Sequence, residues 1–526
     1  MEMTLSAASL IPSLLAIILA LVTRQVFVSM FVGIWGGAFI IEGYSAGNII
    51  PSLFQVVDTW ILEAIVPNDG DNQHFSIVLF SLLTGAMIGI LSHNGGMRGV
   101  VNYFGRIADT RTKGQGATFA LGGLIFFDDY ANTLIVGNTM RPLTDALKIS
   151  RQKLAFIVDS TAAPIACIAV ITTWVGFQVS LLDDSLEAMI QTDDIALPAS
   201  GFELVMGAIP YSFYPLFMLI FIAIMIITRR DYGPMLKAEQ RALTHQPLPE
   251  VITEERSEFI PHQPQPRAIN AIVPILCYIG GTVWGLFETG SGDTLRDILG
   301  SADPFQSVLW GAFLGLLVSI IITVSTNALS LTKTMEALEA GLQPMMVAMI
   351  ILVLAWAIAD VNTQLKTAEY IISLTGDAIA SMWLPLIVFI MAALTSFATG
   401  SSWSTMGILV PLVLPLAVST LGAEGVNIGE VVSHPAMLAS IASVLTGAVW
   451  GDHCSPISDT TILSSMASGC DHIEHVRTQM PYACTVAGAS ILCGLLPVAL
   501  GAPYWAGLIL GTIAIYAVFQ FIGKQL

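Results

Sequence analysis

The chain has 526 residues, with 38 Asp and Glu against 20 Lys and Arg, and a formal net charge of −18. Apolar residues make up 55% and charged residues only 11%, whereas a soluble domain carries about 25% charged residues. That is too little charge to cover a water-soluble enzyme of this length, the acidic balance argues against nucleic acid, and the high hydrophobicity excludes disorder, which leaves a polytopic membrane protein.

A helix that crosses the hydrocarbon needs about 20 mostly apolar residues. Such segments fall at 6–23, 25–42, 75–92, 155–180, 204–228, 268–287, 305–326, 341–359, 436–470 (interrupted), 479–499 and 503–523. No basic region precedes the first run, so it does not read as a cleavable signal. Cys167, Cys277, Cys484 and Cys493 lie in apolar runs, and Cys454 and Cys470 flank a polar break. Their spacing fits buried free thiols rather than a disulfide framework.

Lys and Arg in short loops mark the cytoplasmic side. They cluster at Arg98–Lys113, at Arg141–Lys153 and in the polar, proline-containing segment 229–267. That segment reads as a cytoplasmic linker between two halves. Between Lys153 and Arg229 lies an acidic, external loop with Asp183, Asp184, Glu187, Asp193 and Asp194.

The apolar segment 115–140 is basic at both flanks, so both ends belong inside. At about 1.5 Å per residue a stretch this long cannot cross twice, and a re-entrant hairpin is the economical reading. In the second half no Lys or Arg occurs between Lys366 and Arg477. The segment 383–420 within it has a polar centre and reads as a hairpin entering from outside.

Each half then holds five spans with a hairpin between the third and fourth, and an odd count inverts the second half. The expected fold is an all-α membrane protein. It has a first inverted repeat over 1–228, a second over 268–500, and one extra span at 501–526. Inverted repeats with discontinuous helices point to a secondary transporter with its site near the midplane.

Polar residues within these segments are the candidate site. Asp128 and Asp129, with Asn132 and Thr133, sit at the first hairpin tip. Asp costs about +2.5 to +3.5 kcal/mol at the centre of a membrane helix, so function is the default explanation. The first broken span carries Asp159-Ser160-Thr161 ahead of Pro164. Its counterpart reads Asp452-His453-Cys454-Ser455-Pro456, then Ser458, Asp459 and Thr460. Proline removes a backbone donor, and freed carbonyls with hydroxyls can hold a cation. Carboxylate and hydroxyl oxygens suit a hard ion such as Na⁺. His453 is either a proton carrier or a hydrogen-bond partner of an Asp. Thr399, Ser401, Ser402, Ser404 and Thr405 at the second tip would coordinate an ion or donate to a substrate carboxylate. The string Cys470-Asp471-His472-Ile473-Glu474-His475 looks like a metal cluster but has no second Cys pair, and it reads as a polar helix-end cap.

GGLIFFDDYANTLIVGNTMRP from Gly122 and GDHCSPISDTTILSS from Gly451 resemble motifs of the NhaC-type Na⁺/H⁺ antiporter family. The resemblance covers about 70–500. It implies a dimer in the inner membrane with a scaffold domain and a mobile transport domain, and motif positions at Asp128, Asp129, Asn132, Asp159, Asp452, Ser455 and Asp459. Members exchange Na⁺ for H⁺ or move small organic acids or amino acids. The expected function is therefore Na⁺/H⁺ antiport, with Na⁺ held at Asp159, Asp452 and Asp459. The alternative is coupled transport of a small organic anion or amino acid. The bilayer, Na⁺ and H⁺ are the expected partners, with no further cofactor. A membrane-embedded enzyme lacks a nucleophile or zinc motif to support it.

Overall fold

A computed structural model describes residues 6–525 except 24, 67–72, 106–107, 127–128, 171, 194–196, 245–264, 292–301, 368–369, 371–379 and 457. Helices dominate. The two-residue strands Arg230–Asp231 and Lys524–Gln525 pair antiparallel. Among the described residues six helices are long and apolar enough to cross a membrane: His74–His93, Ile269–Thr289, Phe305–Ser325, Ser402–Ala423, His472–Ala499 and Tyr504–Phe521. Gly201–Tyr211 and Phe213–Thr228 make a seventh if taken together, bent by 44°. Pro210 lies at that bend, where its missing N–H interrupts the ladder.

This is fewer than the eleven spans expected, two of them broken. Ala7–Ala16, Phe27–Ile41, Met349–Gln364 and Ser381–Phe397 are apolar but shorter. Ser402–Ala423, expected as one arm of a re-entrant hairpin, is by itself long enough to cross. The span at 155–180, expected to be broken ahead of Pro164, is indeed broken there, into Arg151–Ser160, Ala163–Ala166 and Thr173–Asp193.

One group of helices packs through small residues. Leu331–Gln364 lies along Gln73–His93, and Ile269–Thr289 lies along Pro304–Ser325. A Cβ on Gly341 would fall 2.1 Å from the Gly85 carbonyl oxygen, and one on Gly89 would fall 2.2 Å from that of Ala337. Lipid tails are as apolar as Leu, so close van der Waals contact between backbones drives this association.

A second group holds the hairpins and broken helices. Arg111–Leu124 and Asp129–Ala146 pack together as the arms of the first hairpin. Leu384–Thr399 and Ser402–Ala423 form the second. Gly400 closes its turn at φ +68, a left-handed conformation that glycine adopts without a Cβ penalty. Ser401 then caps the second arm by accepting from the Ser404 N–H. The expected interruption of 436–470 is present: Pro435–Cys454 ends at Cys454, and Asp459–Ser468 starts after a Ser458 cap. The far pieces of the broken spans cross over. Asp459–Ser468 packs on Asp129–Ala146 and Arg151–Ser160, while Thr173–Asp193 packs on Ser402–Ala423.

The start of the linker is folded as well. The helix Gly233–Thr244 carries Glu239, which is fully buried. Glu239 accepts from the Ser150 N–H at 2.7 Å and pairs with Arg111. Beside it Lys153 pairs with Asp231, which also accepts from the Tyr482 hydroxyl at 2.7 Å. These buried charges tie the linker to the first hairpin and the first broken helix.

Glycine contacts give a direct test. Gly341→Val should destabilise the detergent-solubilised protein by at least about 1–3 kcal/mol, the scale of core overpacking. Gly280→Ala, where nothing lies within 4 Å of the new Cβ, should change stability by no more than about 1 kcal/mol. Denaturant unfolding followed by circular dichroism reads both.

Candidate functional site

Both broken helices stop inside the protein with the C-terminal ends of their first pieces near each other. The Ser160 hydroxyl lies 3.2 Å from His453 Nε2 and joins the two breaks directly. Helix C-termini carry a partial negative charge, so two ends meeting at one point favour a cation between them.

Asp159 is the hub of this meeting. It is 1% exposed. Its Oδ2 accepts from Gln479 Nε2 at 2.7 Å and from His475 Nε2 at 3.2 Å. His453 Nε2 stands 3.9 Å away. The same Gln479 amide donates to the His453 carbonyl at 2.6 Å, so one NH₂ group clamps the carboxylate to the second broken helix. On its other side His453 Nδ1 lies 2.6 Å from the Tyr214 hydroxyl. Among the described residues the ion-pair partners of Asp159 are two histidines, with no Lys or Arg. It therefore has no permanently charged partner among the described residues.

Each hairpin is tied to its own broken helix. Asn132 Nδ2 lies within 2.7 Å of Gly122 O, 2.9 Å of Thr161 O and 3.1 Å of Ile125 O. That amide serves carbonyls released by the hairpin turn and the helix break together, which explains an Asn at this position. Thr161 turns its hydroxyl back to Ile157 O at 2.8 Å. In the second half Ser455 donates to Phe397 O at 2.7 Å, and Ser402 donates to Ala448 O at 3.3 Å.

The other expected residues have these positions. Asp128 lies outside the described residues. Asp129 is 2% exposed and opens the second arm of the first hairpin, where a carboxylate is favoured by the helix N-terminus. Asp452 is 3% exposed in the last turn before the second break, next to His453. Asp459 is the first residue of its helix, and its side chain lies outside the described set. Thr133 donates to Tyr130 O at 2.8 Å. Ser458 caps Asp459–Ser468, and its hydroxyl lies 3.0 Å from that of Thr460. At the second tip, Thr399 donates to Ser396 O at 3.4 Å, Ser404 to Ser401 O at 3.2 Å and Thr405 to Ser401 O at 3.0 Å. Those hydroxyls hold the turn itself together.

Three residues of the hub are not found by sequence reasoning. His475 belongs to the string that reads as a helix-end cap. Asp471 does cap that helix, accepting from the Glu474 N–H at 2.9 Å, but His475 points inward to Asp159. His475 and Gln479 are four residues apart and so share a helix face, which is a signal a helical reading of the segment contains. Tyr214 sits in an apolar run and gives no signal. Among the described residues no three His, Cys, Asp or Glu side chains are placed to hold a metal ion.

A multi-pass membrane protein with two hairpins, two broken helices and a buried carboxylate where they meet is a secondary transporter. The family model described as the Na⁺/H⁺ antiporter family matches residues 165–496. This chain belongs to that family. An uncharacterized protein of Haemophilus influenzae is 33% identical over 499 residues, covering 92% of this chain and 89% of its own. The malate-2H⁺/Na⁺-lactate antiporter of Bacillus subtilis is 36% identical over 95 residues, 18% of each chain. The fold is similar to the crystal structure of the Alcanivorax borkumensis YdaH transporter, at TM-score 0.55 and 15% identity over 89% of this chain and 90% of that one.

The Asn132 amide yields a prediction for the site. Asn132→Leu would leave buried carbonyls without a donor, so stability should fall by about 1–3 kcal/mol. Gly123→Ala on the same hairpin, where nothing lies within 4 Å of the new Cβ, should change stability by no more than about 1 kcal/mol. Chemical unfolding in detergent compares the two.

Proposed function

We propose that this protein is a Na⁺/H⁺ antiporter of the cytoplasmic membrane that works by alternating access. The observation that carries this reading is Asp159, buried, joined to two histidines and a glutamine, and lacking a Lys or Arg partner among the described residues. An ionised carboxylate at that depth needs a positive charge. A proton on Asp159, His453 or His475 supplies one, and so does a Na⁺ ion against the carboxylate and nearby carbonyl oxygens. Both cannot be held well at once, because the second positive charge meets the first in a medium of low dielectric. That competition is what exchange of one ion for the other requires. Asp452 and the first-hairpin carboxylates Asp128 and Asp129 would complete the acidic surroundings.

The architecture we propose with it is two inverted repeats, 1–228 and 268–500. The crossed packing supports this reading: the far piece of each broken span rests on the hairpin of the other half. A rocking of the hairpins and broken helices against the Gly-packed group would open the Asp159 centre to one side at a time.

A second reading is exchange of a small organic anion coupled to Na⁺ and H⁺. The match to the malate-2H⁺/Na⁺-lactate antiporter favours it. The hydroxyls at Ser402, Ser404 and Thr405 would then face the substrate carboxylate in one state of the cycle.

Purified protein in liposomes, with a trapped pH dye, separates the two. A Na⁺ gradient alone should drive proton flux. If it does not, and one organic acid or amino acid from a panel does, the second reading replaces the first. Asp159→Asn should abolish coupled flux, since an amide accepts from Gln479 and His475 but carries no negative charge and takes up no proton. Asp452→Asn should also abolish it while the protein stays folded; wild-type flux in either variant removes that residue from the mechanism.

A further inference from the structure

A second group of titratable side chains lies at the end of the molecule away from the linker, near the start of the helix Gln73–His93. His74 Nδ1 lies 2.6 Å from the Ala64 carbonyl oxygen, and its Nε2 lies 3.0 Å from Asp184 Oδ1. A backbone carbonyl can only accept. A neutral imidazole carries one N–H, which can serve only one of these two lines. Both lines are filled only when the His74–Asp184 pair holds one proton more than a neutral imidazole and a carboxylate do together.

The surroundings favour that extra proton. The ring stacks on Trp356, with centroids 3.9 Å apart and planes 5° apart, and an indole face attracts a cation. The Trp356 indole N–H donates to Ser180 Oγ at 3.0 Å, which holds the ring in place. Beyond Asp184, the charged group that acts on His74 is Asp360 on Leu331–Gln364, and Asp360 in turn lies in the field of Glu187 on the helix Thr173–Asp193 and Glu63 on Leu62–Ile65.

We propose that His74 and Asp184 form a second proton site, whose proton latches the helix Thr173–Asp193 to the segment Leu62–Ile65 and the helices Gln73–His93 and Leu331–Gln364. Thr173–Asp193 is the far piece of the first broken span, and the short helix Ala163–Ala166 lies between it and the piece that carries Asp159. When the proton leaves, the one remaining N–H serves either Asp184 or the Ala64 carbonyl and the other acceptor faces a bare nitrogen lone pair, with Asp360, Glu187 and Glu63 nearby. One of the two bonds is lost, and like charges then push the helix away. Occupancy is complete at acid pH and is lost as pH rises. The latch stands on its own geometry, whichever ion or substrate Asp159 carries.

Two measurements on the full chain test it. Side-chain ¹⁵N spectra of histidine-labelled protein should show, at neutral pH, one imidazolium protonated on both nitrogens that disappears in His74→Gln. In Asp184→Asn that signal should become a neutral ring. Hydrogen–deuterium exchange across 173–193, referenced to Ile269–Thr289, should rise roughly tenfold as the signal titrates, the scale of one charge-assisted hydrogen bond. Both variants should lack this step. A singly protonated His74 at neutral pH overturns the proposal, as does an exchange step that persists in both variants. Neither readout depends on transport, so failure here leaves the antiport reading untouched, and failure of antiport leaves the latch.

Discussion

The structure depends on keeping a carboxylate, Asp159, inside a membrane protein without a permanent cation beside it. In such surroundings a lone ionised carboxylate is costly. The protein answers with hydrogen bonds rather than with a Lys or Arg. Gln479 and His475 donate to one oxygen, and His453 waits just beyond hydrogen-bonding distance. A guanidinium here would neutralise the acid for good and leave nothing for a proton or an ion to do. Histidine keeps the balance adjustable.

That choice requires broken helices. Asp159 and His453 approach because each lies in the last turn before a break. Each break frees backbone groups that the bilayer cannot solvate. Asn132 satisfies one of them, the Thr161 carbonyl, and with Ser455 and Ser402 it attaches each hairpin to its own broken helix. The polar residues at the tips therefore hold the turns and the breaks closed. The Glu239–Arg111 and Lys153–Asp231 pairs extend the same logic to the linker, where buried charges are matched one for one.

Much of this is legible in the amino-acid sequence. The breaks show because proline, hydroxyl and acidic residues interrupt apolar runs, and the paired motifs at 159–164 and 452–456 mark them. The hairpins show in the basic flanks of 115–140 and the polar centre of 383–420. Sequence reasoning fails where one helix face decides the outcome. His475 reads with its chain neighbours as a surface cap, although Asp471 is the residue that has that role. Hydropathy also overcounts the long helices, because it registers composition and not helix length: eleven segments read as spans, and among the described residues six helices, or seven with the bent pair, are long and apolar enough to cross.

By itself, then, the sequence determined that the chain lives in a membrane, that proline and polar residues interrupt its apolar runs, and that acids lie within runs that contain no Lys or Arg. Those are properties of composition and local spacing, which act over a few residues. Tertiary structure alone decided which side chains Asp159 meets. Asp159 meets His475 and Gln479 from 316 and 320 positions away in the chain, and Tyr214 reaches His453 from an apolar helix with no polar pattern to announce it. Contacts of that kind follow from how helices cross, and no local rule carries them.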